Sequence, residues 1–197
     1  MGRQNQSFLR ASMRHLDALR RAGPEAGPSK TPFPADWFDL PQDMLADLGA
    51  MAYLASLNKY HATLTLPQAM AQFEVPLRLK QYRIFRSGGF ARGFITWAGL
   101  HDAAERRFAL DHMPLEPQHW NGGTSKWVID LVAPFGHVQQ MLSQLQAVPN
   151  ETRLRALWHN KTGTRYRIME WSRPEPGAEI TLRSFGLGQF ARHLDEG

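Results

Sequence analysis

Cysteine is missing from all 197 residues. Disulfides, thiolate metal sites and a cysteine nucleophile go with it, and so does any thioester formed on the protein itself; a reducing compartment is permitted. No stretch approaches the roughly 18 apolar residues that a membrane-crossing helix needs. The start of the chain lacks the apolar centre of a secretory leader, so a cytoplasmic protein is expected. Internal repeats, a P-loop, a dinucleotide fingerprint and zinc-ligand spacings are absent too, and neither a metal nor a bound cofactor is expected. Acidic residues are outnumbered, 18 to 23, which gives a formal charge of +5. That balance implies an acidic partner, either nucleic acid or an acidic carrier protein. Nothing resembles a recognition helix or an aromatic RNA-binding run, so nucleic acid is not expected.

What is present is a globular composition, 43% hydrophobic and 11% aromatic. Residues 1–35 read as an extension. Leu9, Met13 and Leu16 lie at helical spacing among arginines, and Gly23-Pro24, Gly27-Pro28, Pro32 and Pro34 then form a linker. Residues 36–175 are expected to form the domain and 176–197 a tail, loop-like but for a weak strand over 180–183.

Within the domain, Pro41 suits a first helical turn, and Met44, Leu48, Met51 and Ala55 continue one apolar face to about Leu57. Asn58-Lys59-Tyr60 closes that helix and leaves His61 just beyond it. Strands over 79–86 and 91–97 flank Ser87-Gly88-Gly89-Phe90 as a hairpin. The arginines and lysines between Arg78 and Arg107 suggest a basic face, with Asp102 capping a helix to about Leu110. A second hairpin is expected about Asn160-Lys161-Thr162-Gly163, after a helix carrying Val138, Met141, Leu142 and Leu145 on one face.

The most informative stretch is Lys126 to Gly136, KWVIDLVAPFG. Its β-branched and aromatic run predicts an interior strand that ends at a proline-glycine break. A period of two puts Trp127, Ile129 and Leu131 on one face, with Val128, Asp130 and Val132 on the other. Asp130 is out of place there, because a carboxylate in an apolar interior costs several kcal/mol unless it is paired. It either bonds a loop or an arginine for structural reasons, or it orients a catalytic histidine.

This stretch closely resembles the signature of the toxin-activating lysine acyltransferases, bacterial enzymes that fatty-acylate lysines of RTX protoxins. Leu48-Gly49 and Trp97-Ala98-Gly99-Leu100 match the same family in register, and the resemblance covers roughly residues 40–148. It implies a mixed α/β architecture similar to the GNAT N-acetyltransferases, with a central mixed sheet flanked by helices. His61 stands at the family's catalytic histidine, which makes it the expected general base with Asp130 as its orienting carboxylate. Asn58, Trp127, Pro134, Phe135 and Gly136 are the expected substrate-binding positions. The turn at Pro134-Phe135-Gly136 could receive a phosphopantetheine arm or polarise a thioester carbonyl. The implied donor is an acyl carrier protein thioester and the implied acceptor a lysine of an RTX protoxin, with a homodimer also admitted. Direct transfer and an acyl-histidine intermediate both remain open. The other reading is a GNAT-like enzyme moving acyl groups from acyl-CoA to a small amine, although Ala133-Pro134-Phe135-Gly136 makes a poor pyrophosphate loop. Asn58 departs from the family, which usually has serine there; asparagine cannot carry an acyl ester. His137, where an acidic residue is frequent, and the long N-terminal extension depart as well.

Overall fold

The computed structural model describes residues 40–146, 152–160 and 162–196. The expected extension and its basic helix lie outside the described residues.

Helix α1, Gln42–Ser56, starts after Pro41 and buries Met51, Leu54 and Ala55. Helix α2, Leu66–Arg78, was not foreseen. Its start is written in a capping box, in which the Thr65 side chain accepts from the backbone of Gln68 and the Gln68 side chain accepts from the backbone of Thr65. The strands follow as β1, Tyr82–Ser87, and β2, Phe90–Leu100, then helix α3, Asp102–Leu110, and β3, Ser125–Val132. Asp102 does not cap α3. His101 occupies that place, with its Nδ1 accepting from the Ala104 N–H at 3.3 Å. Helix α4, Val138–Gln146, leads to β4, Arg153–His159, β5, Tyr166–Ser172, and β6, Thr181–Phe185, and helix α5, Leu187–Glu196, ends the described chain.

The six strands lie side by side in chain order. Every neighbouring pair is antiparallel except β3–β4, which is parallel and in register at only Trp127↔Arg155 and Val128↔Ala156. This is the mixed α/β sheet flanked by helices that the sequence implied, and it is consistent with a GNAT-like fold.

Alternation along β2 separates two layers. Phe94 packs with Met51, Leu54, Phe73 and Leu77 of α1 and α2, while Ala98 and Leu100 pack with Phe108 of α3 and Phe190 of α5. Ile95 and Trp97 turn the other way, toward Met141 and Leu145 of α4. The strict alternation expected for β3 fails. Trp97 pairs with Val128 and Thr96 with Asp130, so Ile129 is the extra residue of a β-bulge. The bulge puts Trp127 and Asp130 on the same face of the sheet; without it Asp130 would point at α4.

Residues 181–196 are not a loop-like tail. Strand β6 pairs with β5, and Phe190 of α5 is fully buried with its ring edge-on to Trp127 at 5.7 Å. Beneath these helices lies a buried ion cluster. Arg155 donates to Glu170 at 2.7 Å and to Glu105, and Glu105 also accepts from Ser125 at 2.7 Å and from the Trp127 indole at 2.8 Å. Gly123 seals the end of β2, since a Cβ there would sit 2.2 Å from the Leu100 carbonyl oxygen.

Candidate active site

Helix α1 ends at a Leu57 C-cap, and the next turn is shaped by Asn58. Its Oδ1 accepts from the Tyr60 N–H at 3.0 Å and the His61 N–H at 3.5 Å. His61 then opens a single 3-10 turn, His61–Thr63, that delivers its ring to the sheet. Tyr60 lies edge-on to the imidazole at 5.1 Å and Phe73 of α2 packs near its face at 6.1 Å. Only 8% of His61 is exposed.

The ring meets Asp130, with Nε2 2.9 Å from Oδ1. Gln72 of α2 donates to the same oxygen at 2.6 Å, and Thr96 of β2 donates to Oδ2 at 2.8 Å. Thr96 in turn accepts from the Asp130 backbone N–H at 3.1 Å, which fixes its hydroxyl as the donor toward the carboxylate. Asp130, 5% exposed, is thus a carboxylate supplied with donors from three elements, the condition that lets a buried charge persist. Its partners are His61, Gln72 and Thr96, and none of them is an arginine; the arginine that the structural alternative called for is Arg155, which serves Glu105 and Glu170 instead.

An acceptor carboxylate at Nε2 assigns the ring's N–H to that nitrogen and its lone pair to Nδ1. Nδ1 stands 3.3 Å from Asn58 Oδ1, an atom already held as an acceptor by two backbone N–H groups. A proton arriving on Nδ1 therefore finds an acceptor beside it. The arrangement can take a proton from a nucleophile, hold it and return it, with Asp130 stabilising the imidazolium in between.

The fold brings His61, Asp130 and Asn58 together. Pro134, Phe135 and Gly136 form a turn at the far end of β3, with Gly136 at φ 83° and its N–H donating to the Ala133 carbonyl at 3.1 Å. Trp127 is not brought to the site: it has no exposed surface and its ring is enclosed by Phe108 and Phe190. Gln72 and Thr96 were missed. Thr96 is the one hydroxyl within the apolar run Phe94–Trp97, and Gln72 lies on a helix that Pro76 conceals. The expected basic face is largely compensated, because Arg78 pairs with Glu74, Arg86 with Asp47 and Arg106 with Asp195.

A second histidine pair lies elsewhere. His112 and His159 face each other through their Nε2 atoms at 3.1 Å beside Tyr166. Burial, followed by the charge of His112, holds His159 below the usual histidine range. Among the described residues no group of three or more His, Asp or Glu side chains could hold a metal ion.

The model of the RTX toxin acyltransferase family matches residues 40–172, well over half of the chain. The chain is 31% identical over 74 residues to a leukotoxin-activating lysine-acyltransferase of a Pasteurella haemolytica-like species (strain 5943B), covering 38% of this chain and 45% of that one. It is 30% identical over 89 residues to the RTX-II toxin-activating lysine-acyltransferase of Actinobacillus pleuropneumoniae, covering 45% and 56%. The match to a protein-lysine myristoyltransferase of Kingella kingae is longer, 22% identical over 143 residues, covering 73% and 86%. The chain thus spans under half the length of the first of these relatives.

Proposed function

Because this chain belongs to the RTX toxin acyltransferase family, we propose that it moves a fatty acyl group from a carrier thioester onto lysine ε-amines of an RTX protoxin. The observation that carries the reading is the buried His61–Asp130 pair, with the imidazole Nδ1 left to handle a proton. A lysine amine, with an unperturbed pKa of about 10.4, is mostly ammonium at neutral pH and cannot attack until it is deprotonated. His61 Nδ1 takes that proton, and the free amine attacks the thioester carbonyl. The tetrahedral intermediate collapses with cleavage of the C–S bond, and the proton leaves on the thiol. Asp130 keeps the ring oriented and offsets its charge while it holds the proton. General-base assistance of this kind supplies roughly a hundred- to ten-thousand-fold in rate.

An acyl carrier protein is the donor that suits the chain's positive charge of +5. The test supplies purified chain with a carrier bearing a labelled acyl group and an RTX protoxin as acceptor. Label is expected on protoxin lysines, and none with a folded His61→Ala variant. Undiminished labelling by that variant would remove His61 from the chemistry, and the reading with it.

A further inference from the structure

We propose that Arg92 is a donor-specificity residue: it binds the phosphate of the donor's pantetheine arm at the rim of the site. The identity of the ligand rests on the acyl-transfer reading above.

The sheet itself frees this side chain. Phe85 pairs with Gly93 and Arg86 with Ala91, so Arg92 has no partner on β1 and is the extra residue of a second bulge. A bulge takes its residue out of the strand's alternation and re-aims the side chain. The Arg92 guanidinium lies 5.7 Å from the centroid of Phe90 on its own strand and 5.7 Å from that of Phe135 in the turn after β3. The two rings are 68% and 45% exposed. Neighbouring arginines are satisfied by Glu74, Asp47 and Asp195, whereas no carboxylate among the described residues partners Arg92. An ordinary surface arginine wanders in solvent. This one is held by rings from two elements while its planar N–H edge stays available, the arrangement that suits two-point bonding to a phosphate.

Its position matches the donor's dimensions. Four residues of β2 separate Arg92 from Thr96, which bonds Asp130, a span of roughly 14 Å. Five residues of chain separate Asp130 from Phe135, roughly 17 Å if extended. An extended pantetheine arm covers a comparable reach from phosphate to sulfur. Phosphate on Arg92 therefore puts the thioester within reach of His61. Acyl carrier protein and acyl-CoA share this phosphate, so Arg92 reads the arm rather than what bears it.

The experiment compares acyl-4′-phosphopantetheine with acyl-pantetheine as donors, with carrier-borne and CoA-borne acyl groups as parallel arms, for the unaltered chain, Arg92→Gln and Arg92→Lys. The expected result is a KM about tenfold lower for the phosphorylated donor with the unaltered chain. Arg92→Gln should erase that preference at unchanged kcat, and Arg92→Lys should restore part of it. An equal rise in KM in both macromolecular arms supports a phosphate contact, whereas a rise confined to the carrier arm overturns it in favour of contact with the carrier's surface. Equal KM for the two small donors, or an equal loss with both in Arg92→Gln, overturns the proposal while leaving acyl transfer intact. Direct binding of 4′-phosphopantetheine is measured alongside. If no donor is turned over, binding that Arg92→Gln abolishes keeps the anion site and discards the activity, and binding that it leaves unchanged discards the anion site.

Discussion

At the scale of single residues, Asp130 has a predictable signature. It accepts from His61, Gln72 and Thr96, so Asp130→Asn would turn an amide toward at least one donor while stranding no arginine. Acyl transfer should fall by about two to four orders of magnitude, with the thermal midpoint shifting far less than removal of a buried ion-pair partner would cause. A melt and a labelling assay on the same preparation check this; an Asn variant active per folded molecule would remove Asp130 from the mechanism. Gln72→Met removes one bond to the carboxylate and should slow transfer about tenfold with KM little changed, as steady-state kinetics would show. His159 supplies a prediction in pH. Its folded-state pKa is held below the ordinary 6.5, so the unfolded chain binds the proton more readily. The stability it contributes is therefore complete above pH 6.5 and is lost as the pH falls through its folded value. His159→Gln should flatten that acid limb in denaturant titrations run at stepped pH. The His61–Asp130 pair was legible because an aspartate in an apolar strand demands a partner. Gln72 was not legible, since a glutamine on a helix face carries no mark of what it will meet.

Among the elements, the pattern of apolar residues located helix α1, both hairpins and β3, because each has a clean period and a glycine or proline boundary. It failed where the boundary signals misled. Pro76 inside α2 reads as a breaker, yet it falls close enough to the C-terminal end to be tolerated, and the Gln81 N–H donates to its carbonyl at 2.8 Å. Gly186 and Gly188 obscured α5 although Leu187, Phe190 and Leu194 keep helical spacing. Bulges are harder still, because an inserted residue such as Ile129 has no compositional mark, and it reversed the facing of everything before it. Loop Asn121-Gly122-Gly123 yields a further test. The N–H groups of Gly122 and Gly123 both donate to the Gly99 carbonyl at 2.9 Å, and the contact a Gly123 Cβ would make is with backbone, which cannot step aside. Gly123→Ala should therefore cost about 2 kcal/mol or more, read as a lower urea midpoint at unchanged slope.

For the molecule as a whole, the Arg155 cluster ties α3, β3, β4 and β5 together around one cation and two carboxylates, each 3% exposed. Arg155→Met would leave Glu105 and Glu170 buried without it and should cost about 3–5 kcal/mol, the largest loss foreseen here, checked by chemical denaturation. The same cluster bears on a seam. Five consecutive strands are joined to their neighbours by long antiparallel ladders on either side, but β3 and β4 share two register positions alone. Stretched across that seam, the sheet should tear between β3 and β4 before either half unravels. The amides of β4, β5 and β6 would then exchange hydrogen as one block, independent of β1 to β3, and the Arg155 cluster would act as the rivet whose removal lets the two halves part.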